Sequence, residues 1–485
     1  MRFKASLIFL FVLLVSVGCT VRPAVAPTKG VAATAVVWPT AYPSPTAVAA
    51  PSGQADKTLS QPEFIAVADK FSDLLIKQQD YTGAIGLFDD TMKAALPESK
   101  LKEVWETLPK QVGLFQSRSD AHLAARKDQY QQVIVPLQFE KAALNMLVVV
   151  NVNTGQISGL FFQPNQDAQA GQYKTPAYVD PGKFEEKEIT FGSEQWKLPG
   201  TLTLPKGTGP FPAVVLVHGS GPNDRDETIG PNKPFKDLAQ GLASQGIAVL
   251  RYDKRTKVYG AVMAKMTDPI TVKEEVIDDA TAAVEFLRQQ PQIDPKRVFV
   301  LGHSLGGYLA PRIAQANPDI AGEIILAGAA RPLEDLIQEQ TQYILGNDQT
   351  LSAQQKQLQL SQVQQQIEAV KALTAQSSAK DVFFGMSAPY WLDLKNYQPA
   401  EMARNLTVPM FIAQGERDYQ VTMEDFGIWK NALAGRDNVQ LKSYADLNHL
   451  FISGASKSLP AEYQTPGNVS APVIQDVAAW VLQHK

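Results

Sequence analysis

A series of short runs in the C-terminal part of the chain is apolar almost without interruption: Ala213 to Val217, Ile247 to Arg251, Val298 to Leu301, Glu323 to Ala327 and Val408 to Ala413. A strand with one face in water alternates polar and apolar residues, whereas a strand covered on both faces does not. Segments of helical character separate the runs. Strand and helix in alternation imply a mostly parallel sheet with helices on both faces. Ahead of it, Glu188 to Gly192 and Gly200 to Leu204 do alternate, and read as antiparallel strands joined by a short turn. Sheets of this kind bind ligands at the carboxyl ends of their strands, so reactive side chains are expected directly after these runs.

Arg297 to Leu301 leads into Gly302-His303-Ser304-Leu305-Gly306, a G-x-S-x-G pentapeptide. A helix-compatible run from Gly307 to Ala316 follows, closed by Asn317-Pro318. Strand, tight turn and helix are the context in which this pattern marks a nucleophile elbow. A serine there sits in a strained backbone, and flanking glycines remove Cβ atoms that would clash. Its hydroxyl stands above the sheet edge at a helix N-terminus, where backbone N–H groups favour a developing oxyanion. The alternative for a bare pentapeptide is a glycine-rich turn without chemistry. After Val217, His218-Gly219-Ser220-Gly221 forms a second glycine-rich turn. One oxyanion donor is assigned to the N–H of Ser220, with Gly219 as the fallback; the other is the N–H of Leu305, directly after the nucleophile. His218 is read as structural, bonding loop backbone groups.

Activating a serine calls for a general base, and the chain has five histidines. His122 lies far upstream, His218 and His303 sit inside the two motifs, and His484 is at a chain end that frays. His449 remains, in the loop Asp446-Leu447-Asn448-His449-Leu450-Phe451 after a strand near Leu441 to Tyr444. The acid that orients it is Asp418, which follows the run ending at Ala413 and precedes His449 by about 30 residues, in the chain order Ser, Asp, His. Asp446, Glu334 and Asp335 are rivals, and the bland role for Asp418 is a loop carboxylate paired with Arg417. Neither a metal-ligand cluster nor a cofactor motif is visible, and acyl transfer by such a triad needs neither.

The 485 residues allow two or three domains. A formal net charge of −4 argues against a nucleic-acid partner. Met1-Arg2-Phe3-Lys4 is basic, and the apolar stretch Ala5 to Val17 is shorter than the ~20 residues that span a bilayer, so it reads as a secretory signal. The only cysteine, Cys19, comes directly after it, which excludes an internal disulfide. Val15-Ser16-Val17-Gly18-Cys19 resembles a bacterial lipobox with Cys19 as the acylated residue, although Ser16 stands where such motifs usually carry leucine. That resemblance implies a lipoprotein held to the extracytoplasmic side of a membrane by its lipid. An ordinary secreted protein with a stray thiol is the alternative. The Ala-, Pro- and Thr-rich stretch to about residue 58 reads as an extended tether.

Residues 59–166 change character midway. Phe64, Val67, Ala68, Phe71, Leu74 and Leu75 recur at helical spacing. Tyr130 to Phe139, Ala142 to Val152 and Gln156 to Phe162 then read as strands, with a tight turn at Asn153-Thr154-Gly155. This gives an α+β module that resembles, in layout and position, the small DUF3887 domains ahead of hydrolase domains in some secreted bacterial proteins. His122 has no clustered partner there and reads as a surface or structural residue. Residues 331–400 form an insertion between the last two parallel strands. Its stripe Leu360, Val363, Ile367 and Val370 suits a helical lid. Phe383, Phe384, Met386, Tyr390, Trp391 and Leu392 either line an acyl pocket or form the lid's own core.

Across residues 183–485 the motifs are similar to those of the α/β-hydrolase superfamily. The run His218-Gly219-Ser220-Gly221-Pro222-Asn223-Asp224-Arg225-Asp226-Glu227, then Gly230 to Phe235 and Arg251-Tyr252-Asp253-Lys254-Arg255, resembles the EstD-type bacterial carboxylesterases. This resemblance implies a serine esterase acting on short- to medium-chain acyl esters. Asp224, Arg225, Asp226 and Asp253 are either a charged network at the site rim or a solvated loop. Two other functions stay open: a thioesterase or peptidase on the same triad, and a cell-surface binding lipoprotein whose hydrolase is vestigial. Protein partners stay unknown, and the N-terminal module could bind a substrate, a cell-wall component or a second subunit, or merely pack on the hydrolase.

Overall fold

The apolar runs become the inner strands of one eight-stranded sheet in the computed structural model, which describes residues 60–484 apart from 141, 166–171, 267 and 350. The signal, tether and Cys19 readings lie outside the described residues. The described chain divides into two compact units between Gln172 and Tyr173.

In the N-terminal unit, Ser60 and Glu63 form a capping box that starts the helix Gln61–Ser72. Five antiparallel strands follow: β1 (Phe115–Arg118), β2 (His122–Lys127), β3 (Tyr130–Phe139), β4 (Ala143–Asn151) and β5 (Ile157–Pro164). The alternation along β3 turns Val133, Val135, Leu137 and Phe139 inward, where they share a core with Phe64, Ala68, Phe71 and Leu75 of the helix. β1 and β2 are additions to the sequence reading. Both pair with β3, and neither has a fully buried residue, so they carry no apolar period. His122 opens β2 and faces solvent.

In the C-terminal unit the strands are β6 (Phe184–Phe191), β7 (Leu198–Pro205), β8 (Phe211–Val217), β9 (Ala248–Tyr252), β10 (Ile293–His303) and β11 (Gly322–Leu326). A small hairpin, β12 (Val382–Phe383) and β13 (Met386–Ser387), precedes β14 (Met410–Gly415) and β15 (Val439–Tyr444). The sheet order is β15-β14-β11-β10-β8-β9-β7-β6, parallel except at β7 and β6. Its successive residues point to opposite faces. Val215, Val217, Val298 and Val300 pack on one side with Ala283, Leu287, Leu309 and Ile313 of the helices Asp278–Arg288 and Leu305–Ala316. Val214, Leu216, Phe299 and Leu301 pack on the other with Phe235, Leu238, Ile474 and Trp480 of the helices Pro234–Ala243 and Ala471–Gln483. Both faces are dry, which is why the sequence runs are continuous rather than alternating.

Between β11 and β14 the chain forms a cap: helices Leu333–Asn347 and Ala353–Lys371, the hairpin, then Ala388–Leu394 and Pro399–Arg404. Ile367, Val370, Leu373, Phe384, Ala388 and Trp391 make its core, with Val363, Phe383, Met386 and Leu392 against them. The insertion aromatics are therefore mainly cap core. Trp391 also donates from Nε1 to the Phe383 carbonyl at 3.0 Å.

Candidate active site

The register of β10 on β8 and β11 sets Gly302 beside Val217 and His303 beside Leu326, so the chain leaves all three strands at one sheet edge. Ser304 comes next, with φ 53° and ψ −113°, and its N–H donates to the Leu326 carbonyl at 3.0 Å. A non-glycine residue in that region carries strain of ~1–3 kcal/mol and persists only where its surroundings enforce it. Here the helix Leu305–Ala316 turns back across the strand. A Cβ on Gly302 would stand 2.2 Å from the Gly306 carbonyl oxygen, and one on Gly306 would stand 2.2 Å from that of Val217. The glycines thus permit a close approach that no side chain fits. Of residues 301–310, Ser304 alone is not buried.

The loop after β14 brings Asp418 to His449, which follows β15: His449 Nδ1 lies 2.6 Å from Asp418 Oδ2. Asp418 is 1% exposed, and its Oδ1 accepts from the N–H groups of Gln420 at 2.7 Å and Val421 at 3.2 Å. Gln414 donates to its Oδ2 at 3.1 Å. These bonds fix the carboxylate and compensate its burial. Arg417 is engaged elsewhere, in a two-pronged pair with Glu462. Asp335 pairs with Lys371, and the Asp446 carbonyl, not its carboxylate, meets Arg417. The His449 loop is braced by Asn448, whose Oδ1 accepts from the N–H groups of Leu450 and Ile452. It is tied to the elbow by His303, whose Nε2 lies 2.9 Å from the His449 carbonyl oxygen.

The turn after β8 is held from both sides. The Gly219 N–H donates to Glu227 Oε1 at 2.6 Å, which removes the fallback oxyanion donor: that N–H is committed to a carboxylate. The Gly219 carbonyl accepts from Lys254 Nζ at 3.0 Å and from Asn223 Nδ2 at 3.1 Å. Among the described residues the N–H groups of Ser220 and Leu305 have no hydrogen-bond partner. His218 is structural: its Nε2 lies 3.0 Å from the Asp224 carbonyl oxygen, and burial pushes its pKa down to about 4.

Glu227 is a residue that sequence reasoning passed over. It is 1% exposed with φ 50°, and its Oε2 lies 2.8 Å from His303 Nδ1. Burial is the largest single influence and would raise the carboxyl pKa, but the charge and hydrogen bond of His303, the His218 charge and the Gly219 N–H together hold it below its ordinary value. Burial likewise acts to lower the His303 pKa, and the charge and hydrogen bond of Glu227, the His449 carbonyl and the Asp418 charge together move it upward. The two form a buried charged pair beneath the elbow. The signal for Glu227 was its place at the end of the His218-to-Glu227 run.

Residues 210–453, just over half the chain, match the family described as serine aminopeptidase, S33. The chain belongs to that family. It is a serine hydrolase with an α/β-hydrolase fold. It is 41% identical over 411 residues to Esterase EstD of Thermotoga maritima, covering 84% of this chain and 93% of that protein. A match of this length exceeds the unit from Tyr173 onward and so takes in part of the N-terminal unit. Over 142 residues the chain is 27% identical to Cutinase 2 of Thermobifida cellulosilytica, covering 29% of this chain and 48% of that one. Among solved structures, the esterase domain of a Rhodothermus marinus protein is 19% identical with a TM-score of 0.39, covering 62% of this chain and 99% of that one. Residues 68–160 match a family described as protein of unknown function, DUF3887.

The rim of this serine hydrolase is an ion-pair ladder rather than a solvated loop. Arg225 binds both oxygens of Asp253 and also Glu188. Arg251 bridges Asp226 at 3.0 Å and Glu186 at 2.9 Å. Asp224 stands apart from the ladder: its Oδ1 accepts from the Thr228 N–H at 2.9 Å and shapes the turn.

Proposed function

We propose that the chain is a carboxylesterase that works through Ser304, His449 and Asp418. Ser304 Oγ attacks the ester carbonyl while His449 takes its proton. The N–H groups of Ser220 and Leu305 hold the oxyanion of the tetrahedral intermediate. His449 then protonates the leaving alcohol, and water hydrolyses the acyl-enzyme by the same steps in reverse roles. Asp418 keeps the imidazole in the productive tautomer and stabilises the imidazolium that forms. The observation that carries this reading is the buried Asp418–His449 contact at 2.6 Å, one loop away from a strained, accessible serine.

The substrates on this reading are short- to medium-chain acyl esters; the name of the esterase relative supports an ester, without its chain length. Thioester or peptide hydrolysis is the second reading, and the family's description as aminopeptidases favours its peptide form. Residues 1–19 support an extracytoplasmic enzyme tethered by lipid at Cys19. The deciding experiment is Ser304→Ala, assayed with p-nitrophenyl esters of increasing acyl length, an acyl thioester and an aminoacyl anilide. Ester turnover is expected to fall at least ~10⁴-fold, with loss of fluorophosphonate labelling. Unchanged ester turnover in the folded variant sinks the reading. Faster wild-type cleavage of the anilide than of any ester selects the alternative.

A further inference from the structure

Lys254 is a buried cation outside the Ser304–His449–Asp418 set. Its Nζ lies 2.6 Å from Glu275 Oε1 and 3.0 Å from the Gly219 carbonyl oxygen, and it is 2% exposed. A buried ammonium is costly unless paired, and an ion pair at this depth gives no assured stability over an apolar one. The second bond, to a backbone carbonyl beside Ser304, is what a purely structural ion pair does not require.

That carbonyl belongs to the peptide unit whose N–H is Ser220. The unit is trans: among the described residues the cis bond is at Gly209-Pro210. In a trans unit C=O and N–H point in opposite directions from one rigid plane. Holding the oxygen on Lys254 therefore aims the Ser220 N–H away from the ammonium. The neighbouring atoms restrict the plane further. The Gly219 N–H is fixed on Glu227, and Asn223 Nδ2 reaches the Gly219 and Ser220 carbonyls at 3.1 Å each. A Cβ on Gly219 would stand 3.2 Å from Ser304 Cβ, so this peptide lies against the nucleophile. The cation also polarises the unit, which strengthens its N–H as a donor.

The geometry points to Lys254 as a positioning residue that sets the direction of the Ser220 N–H by anchoring the Gly219 carbonyl. It rests on the reading that Ser304 is the nucleophile and Ser220 an oxyanion donor. Lys254 touches no reacting atom; it acts through one peptide plane.

The test is Lys254→Met, together with Lys254→Met/Glu275→Gln, which removes the carboxylate that the single change leaves unpaired. The double variant is expected to recover the wild-type melting temperature but not turnover. Its kcat falls roughly 10- to 100-fold, below the ~10²–10³ of deleting a donor outright. KM stays nearly constant, because the bond to the oxyanion is made only in the transition state. A trifluoromethyl ketone, whose serine adduct places an oxyanion in the same position, loses affinity in proportion to kcat/KM, whereas the product acid inhibits as before. Lys254→Arg, which keeps a donor and its charge, restores part of the rate. A double variant with wild-type melting and wild-type kcat overturns the proposal, while an inactive Ser304→Ala in the same series leaves the Ser304 reading standing. If neither Met variant folds, Asn223→Ala carries the test. It removes the other donor on that carbonyl from a half-buried loop position, and an unchanged kcat there overturns the anchoring.

Discussion

The two units bury different things. Among the described residues of the N-terminal unit, the buried polar side chains are Ser72 and Gln131, neither of them charged. The hydrolase unit buries His218, Glu227, Asp237, Arg251, Lys254, Arg255, Glu275, Asp279, His303, Glu323, Arg417, Asp418, Asp425 and His449. Both have ample apolar cores, so the contrast does not come from a shortage of hydrophobic residues. Desolvating a charge costs several kcal/mol unless it is paired and hydrogen-bonded. The hydrolase unit meets that cost by pairing, and most of the pairs gather at the ends of β8, β9, β10, β14 and β15, where the loops converge. Buried charge in this molecule marks loops that must hold a fixed shape. The N-terminal unit has an exposed sheet edge and a helix-covered face, and its core asks nothing of charge.

The largest effect expected from disturbing one of these groups is at Asp418. Asp418→Asn keeps the volume and one hydrogen-bond acceptor but offers an N–H₂ where His449 Nδ1 presents its own proton. The favoured tautomer is then the wrong one, and kcat is expected to fall ~10⁴-fold, measured on the same ester series. A loss under tenfold breaks the link between this buried charge and catalysis.

Glu227→Gln comes next. It leaves His303 buried without its counter-charge and weakens the grip on the Gly219 N–H. Removing one partner of a buried pair is worth about 3–5 kcal/mol of stability, and loosening the oxyanion turn is expected to lower kcat ~10-fold or more. The pH dependence separates this from general damage. The Glu227 pKa is lowered in the folded state, so its contribution is present above its unfolded pKa and is lost as pH falls through the folded one. The His303 pKa is raised, so its contribution is present below its unfolded pKa and is lost as pH rises through the folded one. Wild type is thus supported between those two values, and the variant's melting temperature loses that bell. The N-terminal unit supplies the control, since among its described residues there is no buried charge to titrate.

How much of this was readable from the chain follows the same division. β8, β10 and β11 were legible because strands buried on both faces leave continuous apolar runs. β1 and β2 were not, because exposed edge strands leave no period. Ser304 stood out through the steric demands of its turn, and the contact of Asp418 with His449 joins two residues that chain order had already paired. Glu227 and Lys254 were within the quoted motifs but unassigned. A charged residue in a loop looks the same in sequence whether it ends in water or under an elbow, and only the folded chain tells which. The insertion aromatics were ambiguous for a related reason: burying a ring against its own helix and lining a pocket demand the same residue types.

Glu323 is the exception that sharpens the comparison. It lies on β11, fully buried, and neither carboxylate oxygen has a partner among the described residues. Burial pushes its pKa up to about 8, with Arg436 pulling weakly the other way. Such a group is stabilising to no one when ionised. Because the folded pKa is above the unfolded one, the folded state binds the extra proton between about 4.5 and 8, and stability falls as pH rises across that window. Glu323→Gln removes the titration while keeping the shape. It is expected to leave kcat unchanged and to raise the melting temperature. The gain should widen from pH 6 to pH 9 toward a few kcal/mol, on the order of 1.4 kcal/mol per pKa unit. Thermal melts of both proteins across that range check it. A gain that does not grow with pH would mean that Glu323 is paired after all, and that every buried charge of the hydrolase unit is compensated.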